Sequence, residues 1–101
     1  MNKYFNGKRV ALVGESIGGN DLYSAAFTRL GSTIVSLDDN PHVIFLGSKI
    51  DHTTERTVTK QYAQCTFVME DKIRDFFQMT QEEVKTFLNV AAANAGIRNV
   101  H

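Results

Sequence analysis

The chain has 101 residues, 43% of them hydrophobic and 22% charged, with 11 Lys+Arg balanced by 11 Asp+Glu. This length gives one domain that can bury a core without metal or disulfide staples, and the zero formal charge excludes nucleic-acid binding through the field of the whole domain, leaving only a local patch. The single cysteine, Cys65, excludes an internal disulfide; with no secretory-type apolar run at the start and no window of membrane-spanning length, a soluble cytoplasmic protein is expected.

Arg9 to Val13 is a short apolar run bounded by Gly7 and Gly14, the pattern of a buried strand. In parallel α/β sheets ligands sit at the carboxyl ends of strands, so residues 13–20 are the first place to look for function. Asn20 is a suitable N-cap for a helix over 21–30, with Leu22, Tyr23, Ala26, Phe27 and Leu30 on its buried face and Gly31 just past its end. Thr33 to Leu37 is predicted as the second strand and Asp38-Asp39-Asn40-Pro41 as a turn. His42 to Leu46 is the third strand, ended by Gly47 and Ser48. Thr53 or Thr54 is placed to cap a helix running to about Gln64, with Val58, Tyr62 and Cys65 at helical spacing. Thr66 to Met69 reads as a fourth strand, and Asp71 to Gln78 as a short helix carrying Ile73, Phe76 and Phe77.

The last helix has the strongest signature. Thr80-Gln81-Glu82-Glu83 is a capping box, in which the Thr hydroxyl and the Glu carboxylate each satisfy a free backbone N–H. Val84, Phe87, Leu88, Ala91, Ala92 and Ala95 follow as an unbroken apolar stripe, and Gly96 ends it. The order is β-α-β-β-α-β-α-α in one domain, with a core over about residues 5–78 and a terminal helix over about 80–96.

This order resembles the BRCT domain, a four-stranded parallel-sheet module of DNA replication and repair proteins. The resemblance covers residues 5–77 and rests on four segments. Phe5-x-Gly7-Lys8 with a strand ending in Gly14 is similar to the module's opening. Leu30-Gly31-Ser32 with Ile34 and Val35 resembles its Gly-Gly turn into the second strand, with Ser32 for the second Gly. Val43-Ile44-Phe45-Leu46-Gly47 resembles its third strand. Gly47-Ser48-Lys49 is similar to the version that ends bacterial NAD-dependent DNA ligases. Two positions depart from the family. Ile73 stands where its third helix usually has Trp, and Val13 stands where phosphopeptide-binding members have Ser or Thr. The resemblance implies an α/β fold with sheet order 2-1-3-4, the first and third helices on one face and the second on the other. It also implies a non-enzymatic module that docks a protein partner or a DNA end.

In phosphate-binding members of that family the phosphate lies between the first strand's end and the second helix. The resemblance therefore implies a cradle of Gly14, Thr57 and Lys60, with Arg56 beside them and Ser16 replacing the hydroxyl lost at Val13. The competing reading makes Arg56 and Lys60 a solvated helix face. A second function remains open: a small Rossmann-type nucleotide domain that uses the Gly14–Gly19 loop and Asp38. Its fingerprint needs Gly where Ser16 stands, and the chain is too short for a second mononucleotide half. The terminal stripe gives a third, since Val84, Phe87, Leu88 and Ala91 either cover the domain's own core or form an oligomer or partner surface, as in a homodimer or inhibitor domain. His42, His52, His101 and Cys65 lack zinc-ligand spacing, and Asp38-Asp39-Asn40 lacks the glycine and distal glutamate of a calcium loop. Cys65 reads as a small core residue rather than a nucleophile. No metal, cofactor or catalytic group is expected.

Overall fold

Strands buried on both faces need short, nearly continuous apolar runs, as in Arg9–Val13 and Val43–Leu46, and a two-residue exposed edge strand and a fourth strand complete the sheet. In a computed structural model, which describes residues 3–97, the strands are β1 (Arg9–Val13), β2 (Thr33–Ile34), β3 (Val43–Leu46) and β4 (Thr66–Met69). All pairings are parallel and the order is β2-β1-β3-β4. Val10 stands opposite Val43 and Val13 opposite Leu46, while Ile44 pairs with Phe67. His101 lies outside the described residues.

Side-chain alternation sends β1, β3 and β4 to two separate cores. On one face Val10, Val43, Phe45 and Val68 meet α1 (Asn20–Arg29), α3 (Ile73–Phe77) and α4 (Gln81–Asn94). On the other, Val13, Ile44 and Leu46 meet α2 (His52–Gln61) through Val58, with Ile50, Tyr62 and Cys65 at the margin. The first face is aromatic. Phe27 lies 5.4, 5.7 and 5.6 Å from the ring centres of Phe5, Phe45 and Phe77. Edge-on pairs of this kind add about 0.5–1.5 kcal/mol each beyond the area they bury. Ser32, which stands in for a second glycine, is itself used: its hydroxyl donates to the Phe5 carbonyl at 2.7 Å and ties down the segment ahead of β1.

Several element boundaries differ from expectation, each for a local reason. β2 stops at Ile34, not Leu37, because the chain must leave the sheet edge to cross β1 and begin β3. Leu37–Asp39 form a 3-10 turn on that crossing. Arg9 anchors the crossing, with its N–H donating to His42 Nδ1, its Nε–H donating to the Asn40 carbonyl, and its own carbonyl accepting from His42 N–H. The α2 cap is Asp51, not Thr53 or Thr54; its carboxylate accepts from Thr54 N–H at 3.0 Å. Gln61 ends α2, short of Gln64. A 3-10 turn over Glu70–Lys72 precedes α3, which therefore starts at Ile73.

The α4 capping box is present in both directions: Glu83 N–H donates to Thr80 Oγ1, and Thr80 N–H donates to Glu83 Oε1. Its stripe is spent inside the domain. Val84, Phe87, Ala91 and Ala92 are buried against α1 and α3, with Phe87 edge-on to Phe77 at 5.8 Å. Leu88 is half-buried and Ala95 exposed. Of the four residues read as an oligomer or partner surface, only Leu88 has appreciable exposure.

Candidate functional site at the carboxyl ends of the strands

Three chain segments meet where β1, β3 and β4 end. The loop after β1 needs Gly14, whose φ of 78° is favourable only for glycine. Space makes the same demand, since a Cβ there would fall 2.6 Å from Ile50 Cβ. Asn20 was expected to cap α1, but Gly19 holds the N-cap position and makes no side-chain cap. The Asn20 side chain turns back instead, donating to the Gly14 carbonyl at 3.0 Å and accepting from Ser16 N–H at 3.2 Å. It fixes the loop on which the helix is mounted.

Glu70, the first residue after β4, organises this end of the sheet. Its carboxylate accepts three backbone N–H bonds, each 2.9 Å long: Ile17 and Ser48 to Oε1, and Gly18 to Oε2. Glu70 is 8% exposed. Burial pushes its carboxyl upward, but the N–H bonds from Ser48, Gly18 and Ile17 outweigh that, together with the Tyr23 hydroxyl beside it. The net position is below the usual carboxylate range. Tyr23 moves the other way: burial first, then the adjacent Glu70 charge, raises its hydroxyl well above the ordinary tyrosine value.

Of the expected phosphate cradle, Gly14 and Ser16 lie in the loop after β1, and Arg56, Thr57 and Lys60 lie on α2. Ile50 stands against Gly14, and Ser16 is 2% exposed, with an Oγ that has no hydrogen-bond partner. Arg56, Thr57 and Lys60 are exposed on α2, and the Thr57 hydroxyl donates to the Thr53 carbonyl one turn back. The nucleotide alternative meets a similar arrangement. The Ile17 and Gly18 amides of its loop are already bound to Glu70, and Asp38 is exposed on the 3-10 turn of the crossing.

Beside Glu70 lies a cleft of about 280 Å³, walled by Leu46, Ile50 and Met69 and carrying Glu55, Glu70 and Asp71. Ile17 is 68% exposed and Met69 38% exposed, the first tied to Glu70 through its amide and the second its chain neighbour. A cleft carrying three acids with exposed Met69 in its wall suits a basic, partly apolar segment and repels a phosphodiester chain. A larger groove of about 580 Å³ runs between α1 and α4, lined mainly by small side chains such as Ser24, Ala25, Ala91 and Ala95. It lies away from the strand ends and has no comparable convergence of backbone donors.

The sequence reading missed Glu70. A lone acid between an apolar strand and a short helix resembles an ordinary surface residue, and its only local signal was its position at a strand's carboxyl end. Cys65 is half-buried at the margin of the α2-side core, with its thiol directed at the Pro41 carbonyl at 3.2 Å. Among the described residues no group of three or more His, Cys, Asp and Glu is placed to hold a metal ion, and no helix is long and apolar enough to cross a membrane.

The fold and site define a parallel α/β domain whose strand-end donors are filled by its own carboxylate. Comparison with models of known families, with curated proteins and with solved structures finds no match to this chain.

Proposed function

We propose that this chain is a non-enzymatic, BRCT-like docking module that binds a protein partner at the carboxyl ends of its strands, in the setting of DNA replication or repair that the resemblance implies. The 2-1-3-4 parallel order, with α2 alone on one face, supports the BRCT-like reading. The observation that carries the docking reading is exposed Ile17 on a loop whose amide is held by Glu70, a residue that also lines an acidic cleft. A large apolar side chain on a loop immobilised by Glu70 and Asn20 loses little freedom on binding, which is what makes an effective anchor. The acids beside it favour a partner segment with Lys or Arg and disfavour a DNA end.

A display screen of random peptides against the wild type and Ile17→Asp tests this directly. Phosphopeptides, a 5′-phosphorylated nicked duplex and NAD serve as parallel arms. The expected result is enrichment of peptides with basic and apolar residues, with binding weakened at least about tenfold by Ile17→Asp, a loss of roughly 1.4 kcal/mol. Binding of the nicked duplex or NAD with no peptide enrichment would overturn the reading.

A further inference from the structure

We propose that the amino ends of the strands carry a pocket for a methylated ammonium group, built by Tyr4, Asp75 and Phe76. A cavity of about 380 Å³ opens there, lined by these residues together with Phe5, Thr66 and Gln78. That volume is within the range of about 300–1,000 Å³ usual for small-ligand sites. Thr66 opens β4 and Glu70 follows its end, so this pocket and the cleft beside Glu70 lie at opposite ends of the sheet. The inference therefore does not rest on the docking reading.

Aromatic walls and a carboxylate meet at this cavity. Tyr4 is fixed at both ends: its ring is edge-on to buried Phe5 at 5.1 Å, and its hydroxyl shares a hydrogen bond with Thr66 Oγ1 at 2.9 Å. Phe76 is half-buried against the aromatic core. Rings held in this way lose little freedom when a ligand arrives. The Tyr4 ring already attracts an ammonium within the chain, since Lys8 Nζ stands 5.2 Å from its centre. Asp75 supplies the counter-charge: it is exposed, and among the described residues its carboxylate has no ion-pair partner. A primary ammonium would need an acceptor for each N–H, whereas the Thr66 hydroxyl is already paired with Tyr4. A fully methylated ammonium needs no acceptor; its methyl groups suit the ring faces and its charge suits Asp75.

The test titrates tetramethylammonium chloride into the whole chain, with ammonium chloride at matched ionic strength and neutral neopentyl alcohol as controls. The readout is the backbone amide resonances of Asp75, Phe76 and Gln78. Tetramethylammonium is expected to saturate these amides at an affinity at least about tenfold above either control. Asp75→Asn and Tyr4→Leu should each weaken it about three- to fivefold, while Tyr4→Phe, which keeps the ring, should bind like the wild type. Choline and a peptide carrying trimethyllysine are further arms, and a preference for either supports the assignment and identifies the source of the group. Amides that do not saturate with tetramethylammonium, or that follow either control equally, would overturn the proposal. So would an unmethylated lysine peptide that binds as tightly as the trimethylated one. Should Tyr4→Leu fail to fold, Asp75→Asn changes only an exposed side chain, and an unchanged affinity there overturns the proposal equally.

Discussion

Gly47 and Ser16 meet backbone to backbone across the ends of β3 and β1. A methyl group on Gly47 would fall 2.6 Å from the Ser16 nitrogen and closer still to the Glu15 carbonyl. Gly47 N–H also donates to the Val13 carbonyl at 3.0 Å, so neither strand end can retreat without losing sheet pairing. This contact sets the distance across which Glu70 bridges the two loops.

Gly47→Ala is accordingly expected to destabilise the domain by about 3 kcal/mol, the upper part of the range for overpacking a tight site. At about 4–8 °C per kcal/mol for a domain of this size, the melting temperature falls by more than about 12 °C. A calorimetric midpoint unchanged from the wild type would show that the loops yield freely.

Glu70 gives the fold an acid-sensitive bond. Its folded-state carboxyl titrates below its ordinary value of 4.5, so the unfolded chain binds its proton first as pH falls. The stabilisation is complete above that ordinary value and is lost as pH drops through the folded one. Glu70→Gln is expected to cost about 1–3 kcal/mol at neutral pH by leaving buried N–H groups poorly paired. Its melting temperature should also decline less steeply in acid. Parallel wild-type and Gln curves across the acid range would exclude Glu70 as the source.

His42 makes a second, independent pH prediction. Burial, then the Arg9 and Lys8 charges, lower it from its ordinary 6.5, and its unprotonated Nδ1 accepts the Arg9 N–H at 2.9 Å. Its contribution is complete above pH 6.5 and declines as pH falls through the folded value, because protonation removes the acceptor. Melting curves for wild type and His42→Phe should separate most at neutral pH and converge in mild acid. A constant separation would place the effect in packing alone.

The terminal helix is expected to be part of the domain's stability. Phe87→Ala should cost about 3–5 kcal/mol, the usual loss for emptying a packed aromatic site, and Thr80→Ala about 1 kcal/mol through loss of the cap. Denaturant midpoints check both. A Phe87→Ala midpoint equal to the wild type's would mean that α4 does not contribute to the folded core.

Local chemistry alone determined much of the architecture. The four strands, the α4 capping box and the α4 stripe were legible because each depends on residues a few positions apart: apolar runs bounded by glycine, Thr80 with Glu83, and Val84 with Phe87 and Ala91. The parallel order followed from short strands and from the family resemblance. Boundaries were less legible where a local cap competed with tertiary demands. Asn20 has the chemistry of an N-cap, yet the loop from Gly14 to Ser16 claims its side chain. The end of β2 was set by the need to cross β1. The site lay furthest from sequence reasoning, because Glu70 meets Ile17, Gly18 and Ser48 from positions 53, 52 and 22 residues away. A periodic pattern records which face of an element is buried. It does not record which loop amides an isolated carboxylate will reach, since that depends on strand order, register and the close approach at Gly47, which exist only once the sheet has closed.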